Sequence, residues 1–302
     1  MQQRNCVPMG RAWVFNFDAE EELARPGRLT PSPSLRDRFA QLAEATGLLR
    51  EGDLRVDEFN LESGCFRGMR GAAWCPTPRA LRALRRAGAV VDEAPSPEVL
   101  RAANHRALVE GRVPDLPGGR WVRSEDDVRA ALAEGSCSGR WLLKRAWAYN
   151  GRGRLRARDG DLDAHTAQWV RASLASADGL RMEPEVERSL DVAVHGEIAR
   201  DGAVVCGSLT VQRCDAFGAW QGTEIASPEV LDAGEREALR GVLREVVAAL
   251  RGVGYWGPFG VDGFRWSGGF VPCCDVNARY TMGWSVGMAK SAEAFAVVSA
   301  AS

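Results

Sequence analysis

Three polar side chains alternate with small or apolar ones in the segment FVPCCDVNARYTMGW: Asp275, Asn277 and Arg279. Because strand side chains point alternately to two faces, these three share one face. An earlier strand, GVDGFRW, carries Asp262, and a turn at residues 267–269 predicts a hairpin that brings Asp262 opposite the neighbourhood of Asp275. Two carboxylates and an amide oxygen suit Mg2+, and Arg279 suits a transferring phosphoryl group or an oxyanion. A polar strand face exposed to solvent is the alternative that this pattern leaves open.

A second candidate site lies on a strand and in the glycine-rich turn after it. Lys144 stands within the apolar stretch WLLKRAW, and the turn contains Asn150, Gly151, Arg152 and Gly153. Glycines let the backbone approach an anion closely, and exposed amides together with Arg152 and Arg154 suit a polyphosphate. No GK[ST] follows, so this is not a Walker A loop. An ordinary hairpin tip with a surface lysine on an edge strand is the other interpretation.

Acidic and apolar residues in the stretch MEPEVERSLDVAV form a third candidate site. Glu183 opens it, backbone groups around Glu185 and Val186 suit the edge of an adenine ring, and Asp191 suits ribose hydroxyls. Solvated acids in a connection between strands would give the same pattern.

Four acids, Asp18 and residues 20–22, lie close together near the N-terminus. They could face a cationic substrate. Because acids are common in the first turn of a helix, we expect instead a solvated helix start.

The first hundred residues alternate strand and helix patterns. Strands are predicted at 11–17 and 71–78, a helix at 34–49 with Ser34 as its N-cap, and a second helix at 77–88. Such alternation indicates an α/β layer with a parallel sheet. Because no GxGxxG follows the first strand, a Rossmann dinucleotide site has little support.

The remainder of the chain is richer in hairpins. The patterns predict helices at 124–135, 163–175 and 228–254, and strand pairs within 140–160, 182–214 and 257–279. These elements position the three candidate sites.

Composition limits the classes of function. The 302 residues carry a net charge of -1 and are 45% hydrophobic, as expected of a globular protein without a basic field for nucleic acid or a membrane surface. The eight cysteines include no CxxC pair, and no apolar run is long enough to span a membrane. We therefore expect a cytoplasmic protein that acts on small molecules.

The order of these motifs resembles the ATP-grasp superfamily. A strand lysine, a glycine-rich loop, an E-x-x-(apolar) connection and a closing strand with D-x-N-x-R carry the resemblance between Arg106 and Met282. It implies an α/β and α+β fold: an N-terminal α/β (pre-ATP-grasp) domain at 1–103, then an ATP-grasp module of two α+β subdomains, 104–180 and 181–302, with ATP between them.

The resemblance also implies nucleotide contacts. Residues that would bind ATP are Arg106 at the phosphates, Lys144 at the α-phosphate and the adenine side, Asn150, Gly151, Arg152 and Gly153 in the covering loop, Glu183, Glu185 and Val186 at the adenine, and Asp191 at the ribose.

The metal and catalytic residues follow from the same resemblance. Asp262, Asp275 and Asn277 would hold Mg2+ or Mn2+, and Asp275 stands where most members carry glutamate. Arg279 and Lys144 would be the catalytic residues that offset negative charge during phosphoryl transfer.

The activity implied is an ATP-dependent carboxylate–amine ligase that works through an acyl phosphate. Its partners would be a small-molecule carboxylate and an amine, such as amino acids, and a homodimer is left open. The alternatives are a small-molecule kinase of the same fold and a non-catalytic ATP-binding regulatory protein.

Overall fold

The computed structural model describes residues 10–27, 33–148, 153–160, 162–215, 220–289 and 295. Its helices are α1 (Ala19–Ala24), α2 (Pro33–Ala45), α3 (Pro78–Arg86), α4 (Pro97–Ala103), α5 (Glu125–Glu134), α6 (Ala164–Leu174), α7 (Ala233–Gly252) and α8 (Trp284–Gly287), with a 3-10 turn at Arg106–Val109. Its strands are β1 (Arg11–Val14), β2 (Leu54–Arg55), β3 (Arg70–Ala73), β4 (Arg120–Val122), β5 (Arg140–Arg145), β6 (Arg154–Arg158), β7 (Leu180–Pro184), β8 (Arg188–Ile198), β9 (Val204–Cys214), β10 (Trp220–Ile225), β11 (Gly257–Trp266) and β12 (Gly269–Asn277). The strands form three sheets.

The N-terminal layer is a parallel sheet of order β2-β1-β3. Helix α3 packs against it and begins after Thr77, whose hydroxyl accepts a hydrogen bond from the Ala80 N–H. Gly88, just after this helix, has φ 82°, a region that favours glycine. The parallel layer and the helix within 77–88 are confirmed as predicted. Strand β2 has only two residues, too few to show a period in the sequence.

The second sheet is antiparallel, in the order β4-β7-β5-β6. It has its own core, which includes Trp141, Leu143 and Met182, closed by helices α5 and α6. Because β7 pairs with β4 and β5, this sheet extends to Pro184. The chain therefore passes to the third sheet at residues 185–187, a few residues after the division predicted at 180/181.

The third sheet is antiparallel, in the order β10-β9-β8-β11-β12, and helix α7 packs on it. One hydrophobic core joins the N-terminal layer to this sheet and helix: Trp13 and Phe15 belong to the same cluster as Val194, Leu243 and Phe259. The N-terminal layer is thus fixed beside the strands that carry the acid residues, whereas the second sheet has a core of its own.

Two predicted helix starts are wrong. Helix α2 begins at Pro33, so Ser34 lies inside it and is not its N-cap. Helix α7 begins at Ala233 and not at 228, because Asp232 and Glu235 exchange side-chain to backbone hydrogen bonds in a capping box.

Strand β1 is shorter than the predicted 11–17. It ends at Val14, and the buried Asn16 beyond it donates its amide to the Cys75 carbonyl at 2.9 Å and to the Thr77 hydroxyl at 3.0 Å. Asn16 thereby ties the strand end to the loop before α3.

The described part of the chain contains no helix with both the length and the apolar character needed to cross a membrane. The seven cysteines within it are free thiols.

Candidate active site

A cleft of about 750 Å³ lies where the three sheets approach one another. Ten of the predicted site residues line it: Arg106, Lys144, Glu183, Glu185, Val186, Asp191, Asp262, Asp275, Asn277 and Arg279. The fold thus brings together residues that are far apart in the sequence.

The predicted phosphate-covering loop is described only at its end. Asn150, Gly151 and Arg152 lie outside the described residues. Gly153 has φ 66°, and a Cβ there would lie 2.7 Å from the Cβ of Ala148. Glycine is therefore required at position 153 by the backbone and by its neighbour.

Two carboxylates form the centre of the cleft. Asp262 and Asp275 are direct partners across β11 and β12. The predicted hairpin places Asp262 in the neighbourhood of Asp275, and a register shift between Asp262 and Phe264 brings the two directly opposite each other. Asp262 accepts hydrogen bonds from Gln212 Nε2 at 3.1 Å and from Asn277 Nδ2 at 2.9 Å, and Asp275 Oδ2 lies 3.2 Å from Arg106 Nη2. Burial and the negative charge of Asp275 raise the pKa of Asp262 to about 7. The pair therefore carries negative charge that its protein neighbours only partly offset.

The donor set of this pair fits a hard divalent cation. A cation would relieve the repulsion between Asp262 and Asp275, and both supply carboxylate oxygens. Among the described residues no group of three or more His, Cys, Asp and Glu side chains could hold a metal ion, so the third protein ligand would be the amide oxygen of Asn277. That oxygen also accepts from Arg279 Nη2 at 2.8 Å, and its second lone pair would be the one to bind a cation.

Arg279 lies just beyond the end of β12 and is buried. Its Nε donates to Glu20 Oε1 at 2.5 Å and its Nη1 to the Tyr280 carbonyl at 2.9 Å, while its Cζ stands 5.5 Å from the centre of the Trp74 ring. Burial opposes the charge on Arg279, but Glu20 outweighs this effect and raises the pKa of the guanidinium. Arg279 is therefore a fixed positive charge beside the acid pair.

The acid cluster near the N-terminus is not a solvated helix start, so that prediction is wrong. Asp18, Glu20 and Glu22 are buried, with exposed fractions of 1%, 3% and 6%. Arg79 pairs with Asp18 and Glu22, and Arg279 pairs with Glu20. These cations come from distant parts of the chain, which is why the local pattern suggested solvation.

Lys144 and Glu183 form a buried ion pair on the opposite side of the cleft. Lys144 Nζ contacts Glu183 Oε1, and the two exposed fractions are 8% and 5%. Burial alone would raise the pKa of Glu183, but the charge of Lys144 and its hydrogen bond lower it overall. Glu183 lies in strand β7 and not in the connection after it, where its predicted role at the adenine had placed it.

The connection after β7 is partly engaged within the protein. The Glu185 N–H donates to the Arg140 carbonyl at 2.9 Å, and the Glu185 carboxylate lies 2.5 Å from Arg156 Nε. Val186 packs against the small core that contains Phe264. The Glu185 N–H and carboxylate are therefore both engaged within the protein, and the peptide groups at Val186 are the next ones along the connection.

Two arginines in the cleft were not predicted from the sequence, Arg156 and Arg188, and Arg154 from the end of the predicted loop lines the cleft with them. Arg188 Nη1 donates to Asp191 at 3.0 Å, and its Cζ lies 4.0 Å from the centre of the Phe264 ring. Arg188 stands three residues before Asp191, and this spacing is the feature of the sequence that could have indicated their ion pair. Burial lowers the pKa of Arg154, and the nearby charges of Arg106 and Arg188 lower it further.

His195 was also not predicted, and it holds the loop after the acid strand. It is fully buried, with Nδ1 2.8 Å from the hydroxyl of Thr281, which lines the cleft, and Nε2 3.2 Å from Thr210 Oγ1. Because the Thr210 hydroxyl donates to the Ala193 carbonyl at 2.9 Å, His195 must donate from Nε2. Burial lowers the pKa of His195, so the imidazole is neutral near pH 7 and Nδ1 accepts from the Thr281 hydroxyl.

We expect His195 to make folding stability depend on pH. Burial lowers its pKa to about 4, whereas the unfolded chain has the ordinary value of about 6.5, so stability falls as the pH falls through this window. The total loss is about 3 kcal/mol. In denaturant titrations at pH values from 7.5 to 4, the free energy of unfolding of wild type should fall by about 3 kcal/mol more than that of His195→Gln. The exposed His165, changed to Gln, is the control and should follow wild type; parallel curves for wild type and His195→Gln would contradict the expectation.

Solved structures of three synthetases share this fold. A D-alanyl-alanine synthetase A from Vibrio cholerae matches with a TM-score of 0.54 and 10% identity, over 94% of this chain and 91% of that one. A D-cycloserine synthetase matches with a TM-score of 0.52 and 14% identity, over 90% of this chain and 93% of that one. A carboxyaminoimidazole ribonucleotide synthase from Aspergillus clavatus, complexed with ATP, matches with a TM-score of 0.50 and 13% identity, over 90% of this chain and 71% of that one. No family model and no curated protein sequence matches the chain.

These synthetases are ATP-grasp enzymes, and the chain has the ATP-grasp fold over most of its length. The predicted resemblance and fold class are confirmed. Identities of this size concern the fold alone, so the roles of individual residues are argued from the geometry of the cleft.

Proposed function

We propose that the protein is an ATP-dependent carboxylate–amine ligase that works through an acyl phosphate. One observation carries the proposal: Asp262, Asn277 and Arg279 form a continuous hydrogen-bonded series in the cleft, with Asp275 directly across from Asp262. This series combines a cation-binding acid pair with a fixed guanidinium, which phosphoryl transfer to a carboxylate requires. The fold shared with known synthetases supports the same class of reaction.

The phosphates of ATP are proposed to bind at the positive side of the cleft, near Arg106, Lys144 and Arg154. The depressed pKa of Arg154 reflects burial and then repulsion from neighbouring arginines. A polyanion would remove this repulsion, so the local field favours a triphosphate.

The base and ribose are proposed to bind along the β7–β8 connection. Peptide groups at Val186 would meet the adenine edge, since the Glu185 N–H is already bonded to Arg140. Asp191 would accept from the ribose hydroxyls with the oxygen that does not bind Arg188. Glu183 is assigned to holding Lys144 and not to the adenine.

Asp262, Asp275 and Asn277 would hold Mg2+ or Mn2+, which when bound supplies charge stabilisation to the phosphoryl oxygens. Because the pKa of Asp262 is about 7, this carboxyl gains a proton as the pH falls below that value. Cation affinity should therefore rise with pH through this region.

In the proposed reaction a substrate carboxylate oxygen bonds to the γ-phosphorus of ATP, the bond from that phosphorus to the β–γ bridging oxygen breaks, and ADP leaves. An amine nitrogen then bonds to the acyl carbon, phosphate leaves with the electron pair of its bond, and the amine gives up a proton. Arg279 offsets the charge on the phosphoryl oxygens and on the tetrahedral oxyanion. A donor placed in this way is commonly worth about 3 kcal/mol.

The test is to incubate protein, ATP and Mg2+ with pairs of small carboxylates and amines and to measure ADP, phosphate and amide. We expect ADP and phosphate in equal amounts only when both substrates are present. ADP without phosphate and without need of an amine would instead show a kinase. ATP binding without ADP release on a broad panel would favour a non-catalytic regulator.

Replacing Lys144 with methionine should weaken ATP binding at least tenfold, or about 1.4 kcal/mol. It should also lower the free energy of unfolding by about 3 kcal/mol, because the buried charge of Glu183 loses its close partner and keeps only the longer contact of Oε2 to Arg181 Nε at 3.7 Å. The double variant Lys144→Met/Glu183→Gln removes that charge and should recover most of the stability but not the affinity. Calorimetric ATP titration and urea unfolding measure both effects; recovery of affinity in the double variant would reduce Lys144 to a structural role.

A further inference from the structure

The N-terminal layer contributes one end of the cleft, and that end differs in chemistry from the rest. The residues of this layer that line the cleft are Phe17, Arg38, Leu42 and Trp74. Three are apolar, the fourth is a cation, and no acid from the described part of this layer lines the cleft. The acids that line it all come from the strands and connections of the second and third sheets.

The apolar end borders the proposed site of phosphoryl transfer. The Trp74 ring faces the Arg279 guanidinium, with 5.5 Å from its centre to Cζ. Met282, three residues after Arg279, lines the same cleft and is partly exposed to it. A substrate carboxylate held at Arg279 therefore has its carbon skeleton directed among these side chains.

The wall formed by Phe17 and Trp74 is rigid. Their ring centres are 4.6 Å apart, and Phe17 also contacts Phe15 at 5.8 Å and Phe39 at 5.4 Å. Only 5% of Phe17 and 3% of Trp74 are exposed. An aromatic wall held in this way keeps its shape and offers its exposed edge to a ligand at little entropic cost.

We propose that the carboxylate substrate is a monocarboxylate with a branched or aromatic apolar substituent, which packs on Phe17, Leu42, Trp74 and Met282. This inference rests on the proposed ligase activity. A second carboxylate on the substrate would lose hydration in a region whose walls are largely apolar. Arg38, the cation of this layer that lines the cleft, is exposed to solvent and would offset that loss only weakly. Each methylene accommodated should raise kcat/KM by roughly tenfold.

The experiment uses the whole chain with ATP, Mg2+ and hydroxylamine, which converts an acyl phosphate into a hydroxamate and phosphate, so the natural amine is not needed. The acids are acetate, 4-methylpentanoate, 3-phenylpropionate and glutarate, with the corresponding amino acids glycine, leucine, phenylalanine and glutamate as a second series. We expect kcat/KM for the phenyl and branched acids to exceed that for acetate and for the dicarboxylate of each series by at least about a hundredfold.

Leu42→Lys tests the wall itself. Leu42 is partly exposed on α2, so the variant should fold, and it should lower kcat/KM for the apolar acids at least tenfold while raising that for glutarate. Gln41→Lys adds the same charge at the exposed neighbouring position on the same helix and should change neither.

The outcomes distinguish the substrate inference from the proposed ligase activity. Hydroxamate from glutarate or glutamate as readily as from the apolar acids, or equal behaviour of the two lysine variants, would overturn the substrate inference and leave the ligase activity standing. No hydroxamate and no ADP from any acid would reject the ligase activity, and the substrate inference would be rejected with it.

Discussion

Asp275→Asn is expected to lower ATP-dependent turnover by about a thousandfold, the largest effect of any single change. The substitution keeps the shape of the side chain but removes one of the two carboxylates that face each other across β11 and β12. A divalent cation would then meet half the negative charge. Steady-state ADP release with saturating ATP and Mg2+ measures this loss.

A second readout of the same variant does not depend on turnover. In wild type the shift in Tm caused by Mg2+ should grow as the pH rises through about 7, where Asp262 loses its proton. Asp275→Asn removes a negative charge that raises the pKa of Asp262, so the remaining Mg2+ response should be small and should move to lower pH.

Two controls complete this experiment. Asp275→Glu keeps the charge and should retain turnover within about tenfold. Asp126→Asn makes the same chemical change at an exposed position on α5 and should leave turnover and the Mg2+ response unchanged. If Asp275→Asn keeps most of its turnover with wild-type dependence on Mg2+, the acid pair is not the cation site.

Glu20→Gln is expected to lower kcat about a hundredfold with little change in KM for ATP. Glu20 contacts Arg279 but does not line the cleft where the phosphates are proposed to bind. Its loss should therefore disturb the guanidinium of Arg279 but not nucleotide binding. Glu20 is thus a positioning residue. Initial rates across ATP and carboxylate concentrations separate the two parameters.

Stability has to be separated from this effect, because a buried ion pair is broken. Glu22→Gln provides the matched control: Glu22 is buried in the same helix, but it pairs with Arg79 and not with Arg279. Glu20→Gln should lose about 3 kcal/mol of unfolding free energy. Glu22→Gln should lose less, because Arg79 keeps its ion pair with Asp18. Only Glu20→Gln should lose kcat, and Glu20→Asp should recover part of it; equal rates in the two Gln variants would contradict a role for Glu20 in positioning.

The local parts of the candidate site could be predicted from the sequence. The period of two and the short turn at 267–269 predict that Asp262 lies near Asp275. The register that the turn sets would place Asp262 opposite Cys273, and an irregularity between Asp262 and Phe264, which the sequence did not indicate, shifts the pairing to Asp275. Thr77 could likewise be predicted as a helix cap, since its partner Ala80 is three residues away.

Partnerships between distant segments could not be predicted in this way. Lys144 and Glu183 meet because β5 pairs with β7, which the alternation within each strand does not specify. The acids at 18–22 were misread for a similar reason: burial of a carboxylate depends on a cation from elsewhere, here Arg79 and Arg279. A single sequence indicates which residues are acidic, but not which of them have a partner.

The pair of Glu20 and Arg279 also has a consequence for the order of folding. The two residues are separated by 259 positions, so their contact closes nearly the whole chain. During synthesis Glu20 emerges early and has no partner until the last strand has been made. Late contacts of this kind form slowly because of their large sequence separation. The guanidinium of Arg279 should therefore be the last part of the cleft to take its place. Nascent or truncated chains that already contain the residues proposed to bind ATP should bind it without being able to use it.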